Sequence, residues 1–413
     1  MSLDLTSFSD AFKRLYTPQR LESMAYKRNP LHAMFGKNMG FYGDSMPIPI
    51  VYANPQSRSA DVATAIAAAP NASSQIKAFL LTRAKDYGVI NIDNETMEAS
   101  ENDRGAFMAA RKVEVDGILN SVIRSLAIAE YRLGYGLIGK VSAISTATIT
   151  LTNPRDITNI EKGQVHVFAA TESASALRNT GGTTTLTVLS VNRTAGTVTY
   201  TAAVSTVTGT TTGDSIFCNG DRQDSASPTK RKVSGLLGWL PTTAPTSGDS
   251  FFGVDRSLDT RLGGLRQTAT GSSIEEALTD AAALCFQEGG APDKCFVNYL
   301  IWAQLEKSLQ SRGVLQMAEL KVTPTIGFPA IRVMGPGGPI DVVADQNCPT
   351  GIGMMLQMDR WKFWSLKGAP RVFNSDTLEM LRLSTSDGVE LRAGYYGNLA
   401  CDAPGYNCNI AFV

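Results

Sequence analysis

Histidine is nearly absent from this 413-residue chain: His32 and His166 are the only two, and they lie far apart. No Cys-x-x-Cys pair occurs among Cys218, Cys285, Cys295, Cys348, Cys401 and Cys408. A structural zinc site needs four nitrogen or sulfur ligands, usually in close-spaced pairs, so neither a metal site nor a cofactor is expected. The six thiols read as buried side chains in a reducing compartment. Nucleophilic catalysis is equally short of material, because neither imidazole adjoins a nucleophile motif such as G-x-S-x-G. The carboxylate pair Glu275-Glu276 opens a helix, where it favours the helix dipole. The chain is therefore read as a non-enzyme.

Charge of one sign is also missing. Lys plus Arg and Asp plus Glu both number 38, whereas a protein that grips nucleic acid by neutralising phosphates carries a basic surplus. Residues 1–40 hold six basic and three acidic side chains, a mild excess that reads as a solvated face. No run approaches the ~18 consecutive apolar residues of a membrane span. The start, MSLDLTSFSDAFKRLY, has acids and no apolar core run, so it is not a signal peptide and the chain is expected in the cytoplasm where it is made. The sequons at Asn71, Asn94 and Asn192 are then chance matches.

What is present begins with a puzzle. Gly134, Gly136 and Gly139 match G-x-G-x-x-G, the pattern that lets backbone approach a pyrophosphate. That cradle needs a strand before the glycines and a helix after. Here a helix precedes and Thr/Val strands follow, so the negative end of the dipole would face the loop and repel phosphate. The three glycines are read instead as a hinge.

The preceding helix is the strongest periodic signal. Val115, Ile118, Leu119, Val122, Leu126, Ala129 and Leu133 form one apolar stripe. With Ser100 and Asp103 as a capping pair and Gly134 as a stop, the helix spans about 101–133 and roughly 50 Å. Upstream, residues 1–40 read as short helical pieces broken by Pro18 and Pro30. MPIPIVY (46–52) and QIKAFLLTRAKDYGVINI (75–92) read as the strands of a long hairpin with a floppy tip, the prolines confining the first to an edge. Such a ribbon is marginal in water unless it packs on another surface.

Downstream of Gly139, residues 137–217 contain 20 threonines and only nine charged residues. Strand-like runs and a turn at 192–196 predict a small all-β module, since β-branched side chains suit pleated surfaces. After the polar linker DSASPTKRK (224–232), Ser273 and Glu276 cap a helix ending at Gly289-Gly290, with Ile274, Ala277, Leu278, Ala281 and Cys285 on its apolar face. KCFVN reads as a strand, followed by a helix carrying Ile301, Leu305 and Leu309. Hairpins are expected over 330–345 around Gly335–Gly338, over 352–366, and over 378–398 with Asp387-Gly388 at the bend. Arm, ribbon, lone long helix and inserted module leave too many surfaces for one subunit to cover.

This order of parts resembles the major capsid proteins of tailed bacteriophages with the Hong Kong 97-type fold. The phrases FFGVDRSLDTRLGGLR (251–266), GPIDVVADQNCPTGIGMMLQMDRWKFWSL (338–366) and GYYGNLACDAPGYN (394–407) are similar to stretches in phage capsid proteins. The resemblance spans the chain apart from residues 137–222 and implies an α+β class, the Hong Kong 97-like phage capsid fold with an inserted all-β domain. On it, 1–45 is an N-terminal arm, 46–90 an extended β-hairpin loop and 91–136 the spine helix of a peripheral domain. Residues 137–222 form the insertion, 223–350 an axial α/β domain, and 351–413 the peripheral-domain sheet and C-terminal strands. Leu15 and Leu21 of the arm, with Met46, Ile48, Ile50 and Arg58 of the loop, are the expected inter-subunit contacts.

The function implied is structural: self-assembly into pentamers and hexamers of an icosahedral shell around the double-stranded DNA of a tailed phage. Some relatives weld subunits through a lysine at the loop tip; the tip here, 54–74, has none, so covalent chain-mail is not expected. The chain starts directly with the arm and shows no long charged leader, which points to a separate scaffolding protein. Portal protein and a decoration or cement protein are the other implied partners, with packaged DNA touched non-specifically and no membrane. Assembly is expected in the host cytoplasm and the product in the virion. The competing readings are the shell of a bacterial nanocompartment and a surface- or carbohydrate-binding protein using the β insertion.

Overall fold

The stripe on the long helix is what seats it. In the computed structural model, which describes residues 29–93, 104–174, 176–179, 185–225, 228–311, 317–321, 327–373, 380–382 and 387–412, the helix runs Arg104–Ala129. Ser100, Asp103, Leu15 and Leu21 lie outside the described residues. Val115 and Leu119 pack with Leu391 and Ala393 of the strand Gly388–Cys401, and Ile90 of the strand Ala84–Asp93 joins them. A Cβ on Gly88 would sit 2.6 Å from Ile118, so glycine there lets the helix lie close on the strand. From Val122 to Glu130 every residue except Arg124 and Ser125 is buried. The single stripe therefore describes only the part around Val115–Leu119, and the last turns are enclosed on more than one face. Residues 84–235 and 365–397, with the described residues up to 33, form one compact unit.

Within that unit, Ala84–Asp93 pairs antiparallel along Gly388–Gly397, whose other side takes Met380–Arg382 and Arg371–Val372. The two strands of the hairpin expected about Asp387-Gly388 thus pair, Gly388 beginning the second, while residues 383–386 between them lie outside the described residues. The threonine-rich module is a closed six-stranded antiparallel barrel. Its strands follow the order Ser215–Cys218, Leu137–Ser145, Thr148–Leu151, Thr197–Tyr200, Leu186–Asn192 and Val165–Ala169, which closes on the first. Closure removes the exposed edges that a low-charge sheet would otherwise present. Alternate side chains fill the inside, among them Val141, Ile149, Phe168, Val188, Val198 and Ile216. Thr148, Thr150, Thr197 and Thr199 are excluded from this core and face the other way.

His166 is fully buried in the barrel, with Nδ1 3.0 Å from the Tyr200 hydroxyl and Nε2 3.2 Å from Gln164 Oε1. Burial pushes its pKa down from 6.5 to about 4. Below about 6.5 the unfolded chain takes up a proton that the folded barrel refuses, so stability falls as pH drops through that window. The loss expected between pH 6.5 and 4 is about 3 kcal/mol. Denaturant melts at several pH values should show that slope, and His166→Gln should flatten it while lowering stability at neutral pH.

The second unit comprises residues 34–83, 236–364 and 398–413. Its sheet has seven strands in the order Leu265–Ala269, Cys408–Phe412, Ile352–Leu356, Lys294–Val297, Gly338–Ala344, Gly327–Gly335 and Met317–Lys321. Helix Ile274–Gln287 carries the expected capping box: Glu276 N–H donates to Ser273 Oγ at 3.3 Å and Ser273 N–H to Glu276 Oε2 at 2.9 Å. Its Ala277, Leu278, Ala281 and Cys285, with Ile301 and Leu305 of helix Tyr299–Ser311, form one core with the sheet.

Two expectations fail here. Residues 352–366 are not a hairpin. Ile352–Leu356 pairs with Lys294–Val297 and Cys408–Phe412, whereas Trp361–Ser365 pairs in parallel with Gly36–Asn38. The 3₁₀ turn Met358–Arg360 separates them, held by Met358 N–H on Asp293 Oδ1 and by Asn407 Oδ1, which accepts from Gln357 N–H and the Trp361 indole. The division at residue 350 also falls inside one sheet, because Ile352–Leu356 and Cys408–Phe412 lie between Leu265–Ala269 and Lys294–Val297, two strands that precede that boundary. Sequence order separated segments that backbone pairing reunites.

Candidate interaction surface

The ribbon Ser45–Ala53 and Gln75–Thr82 pairs in the register Met46–Leu81, Pro47–Leu80, Ile48–Phe79, Pro49–Ala78, Ile50–Lys77 and Val51–Ile76. Opposed residues share a face, and the period of two sorts them into two sets. One set, Met46, Leu81, Ile48 and Phe79, is buried. Phe79 lies 5.0 Å from Trp239 and 6.4 Å from Phe251, ring to ring, and the Trp239 indole donates to Leu399 O at 3.0 Å. The ribbon therefore rests on an aromatic seat of its own unit. Met46 and Ile48 are corrected on this point: they face inward and are not surface residues. Ile50, at the same parity, is partly buried, and Arg58 is exposed near the tip.

The other set is apolar and uncovered. Pro47 and Pro49 are exposed, Val51 is 57%, Ile76 58% and Leu80 46% exposed, and Ala78 is half-buried. Across both strands the only charged residue is Lys77. Exposed apolar residues scattered singly need no explanation; a contiguous face on a two-stranded ribbon does. The edges are also managed. Prolines at 47 and 49 remove the donors that the free edge of their strand would present. On the other edge, Leu80 N–H donates to Phe252 O at 2.8 Å.

At the ribbon's end, residues expected to be floppy include a helix, Val62–Ala68. Asp61 caps it, accepting from Thr64 N–H at 2.9 Å and Thr64 Oγ1 at 2.6 Å, and these bonds hold its carboxyl below the usual range. None of the helix is buried, and Val62 and Ile66, one turn apart, are 72% and 67% exposed. Alternating parity, available in the sequence, could have picked out Pro47, Pro49, Val51, Ile76 and Leu80. What it could not supply was which parity faced the seat.

The three glycines expected to form a hinge are closely packed. Gly134 and Gly136 adopt φ of 98° and 82°, and added Cβ atoms would meet Ser234 Oγ and Asp221 Cβ, each at 2.9 Å. Gly139 lies inside a barrel strand, opposite Ile216. Lys232 N–H donates to Gly134 O at 3.1 Å and Gly235 N–H to Arg132 O at 2.9 Å, so ingoing and outgoing chains are laced together.

All six cysteines are free thiols, and among the described residues no cluster of three His, Cys, Asp or Glu could hold a metal ion. No helix of the described residues is long and apolar enough to cross a membrane.

The sequence pattern of the SU10 major capsid protein family matches residues 158–379, more than half of the chain. The chain belongs to that family. It is a phage major capsid protein, a structural coat protein that forms shells with copies of itself and is a component of the virion. The family match begins inside the barrel, so the module is not wholly outside the shared pattern, as the phrases quoted from the sequence had implied. No curated protein matches the sequence. Among solved structures, the capsid asymmetric unit of cyanophage A-1(L) is similar at a TM-score of 0.50 and 10% identity, covering 93% of this chain and 92% of that one. The native capsid of a GTA particle gives 0.46 at 11% identity, covering 92% and 88%. The holo-SrpI encapsulin of Synechococcus elongatus gives 0.44 at 7%, covering 93% and 86%. The capsid protein has the Hong Kong 97-like α+β fold.

Proposed function

We propose that this capsid protein assembles as pentamers and hexamers of an icosahedral shell enclosing the double-stranded DNA genome of a tailed phage. The uncovered apolar face of the ribbon and its tip helix carry the reading: this is the surface a neighbouring copy covers. Its chemistry suits one chain serving both capsomer types, because apolar contact is non-directional and tolerates small changes of angle. Each contact can be weak, since many act together in a closed shell. Equal numbers of acidic and basic side chains fit a container that touches packaged DNA without gripping it. A separate scaffolding protein, the portal and a decoration protein are the further partners, and assembly takes place in the host cytoplasm. The barrel is filled by its own core, which leaves its outer wall for contacts with other capsomer surfaces or the medium.

Expression of the full chain, alone and with candidate scaffolding proteins encoded beside it, tests this by electron microscopy and sedimentation. Closed shells with five- and six-fold capsomers are the expected product. Monomers under every condition, with the ribbon face protected from hydrogen exchange in the isolated chain, would refute it.

A further inference from the structure

At the base of the barrel, one ammonium group ties three elements together. Lys232 Nζ lies 2.7 Å from Asp86 Oδ2 on the strand Ala84–Asp93 and 3.0 Å from Asp221 Oδ1 just beyond the last barrel strand. It also donates to Ser125 Oγ on the long helix at 2.9 Å, and Ser125 in turn donates to Asp86 Oδ2 at 2.6 Å. Lys232 is buried, and Asp86 and Asp221 are largely so. We infer that Lys232 is a positioning residue, a pin that fixes the direction in which the barrel leaves the helix and sheet.

The surrounding backbone supports a fixed neck. Lys85 N–H donates to Arg231 O at 3.2 Å, beside the bonds from Lys232 to Gly134 and from Gly235 to Arg132. A second ion pair, Arg132 to Asp156 at 3.2 Å, joins the end of the helix to the barrel's 3₁₀ turn Pro154–Asn159. The energetics explain why such a cluster would serve direction more than stability. Removing two carboxylates and an ammonium from water offsets most of their mutual attraction, whereas the geometry they demand is narrow. The pKa directions agree: burial drives Asp221 up to about 6 despite the adjacent lysine. Burial by itself would lower Lys232, yet Asp221 and Asp86 hold it above its usual value. Asp221 bears the burial cost, and the ammonium stays charged. The barrel then moves with the helix and sheet as one body.

Hydrogen exchange of the full, unassembled chain tests this independently of shell formation. Lys232→Met leaves two buried carboxylates facing each other and should speed exchange in peptides covering 130–140 and 219–235 by roughly tenfold, with barrel-core peptides unchanged. The neutral triple variant Lys232→Met, Asp86→Asn, Asp221→Asn covers the case in which the single variant does not fold. It should keep the barrel's protection and melting temperature while showing the same loosened neck. Neck exchange within about twofold of the parent in the triple variant overturns the inference. Loss of barrel protection in the triple variant overturns it too, because the cluster would then be holding the fold rather than its direction.

Discussion

Val51→Lys combined with Ile76→Glu is expected to abolish shell assembly while leaving the monomer folded. The two residues are directly opposed on the ribbon and more than half exposed, so neither contributes much to the core. Opposite charges placed across the two strands keep the register, a pairing worth roughly 0.2–1 kcal/mol. Covering them with a neighbour's apolar surface, in contrast, costs several kcal/mol per interface, since each charge loses its water. Repeated over every contact of a closed shell, that cost should leave no shells in micrographs and a monomer peak in sedimentation. The control is Met46→Ala, which creates a cavity at a buried position of the ribbon and should lower stability by about 2–5 kcal/mol. Normal shell yield from the charged pair would show that this face is not the contact.

Gly235→Ala is expected to be severely damaging for a single added methyl. A Cβ there would lie 2.2 Å from Glu130 O and 2.3 Å from Ala129 O, both main-chain atoms at the end of the long helix. Backbone cannot swing aside as a side chain can, so the neck must open or the helix end must shift. The cost should reach at least about 3 kcal/mol, visible as a lower midpoint in denaturant and a poor soluble yield. Gly117→Ala is the matched opposite: nothing lies within 4 Å of its Cβ position, and it sits within the same helix. That change should stabilise by about 1 kcal/mol, because alanine loses less backbone freedom than glycine on helix formation. Equal effects from the two substitutions would contradict the close crossing at the neck.

What separates these glycines is what packs against them, which lies far away in sequence. Gly134, Gly136 and Gly139 were legible as turn or breaker residues, and the order expected around them, a helix before and a strand after, is the one the fold has. Whether they bend freely depends on what lies against them, and Ser234 and Asp221 arrive there from about a hundred residues downstream. Lys232 shows the same limit. In sequence it is one of several charges in a polar linker; in the fold it is buried between two carboxylates supplied from positions 86 and 221. The hairpin expected over 352–366 failed for a related reason. Its two runs have strand character, but their partners, Lys294–Val297 and Gly36–Asn38, are distant in the chain.

By itself the sequence determined the local pieces: the apolar stripe of the long helix, the Ser273–Glu276 cap, the threonine-rich strands, the turns at 192–196 and 335–338, and a ribbon confined to an edge by prolines. These follow from interactions within a few residues, whose periods and caps are written along the chain. Only the tertiary structure decided which ribbon face rests on Trp239 and which stays bare, that residues on both sides of 350 share one sheet, and that the chains entering and leaving the barrel are hydrogen-bonded to each other at its base. A shift of one residue exchanges the two faces of a strand without changing its alternation, so the pattern announces two faces and leaves their assignment to long-range packing.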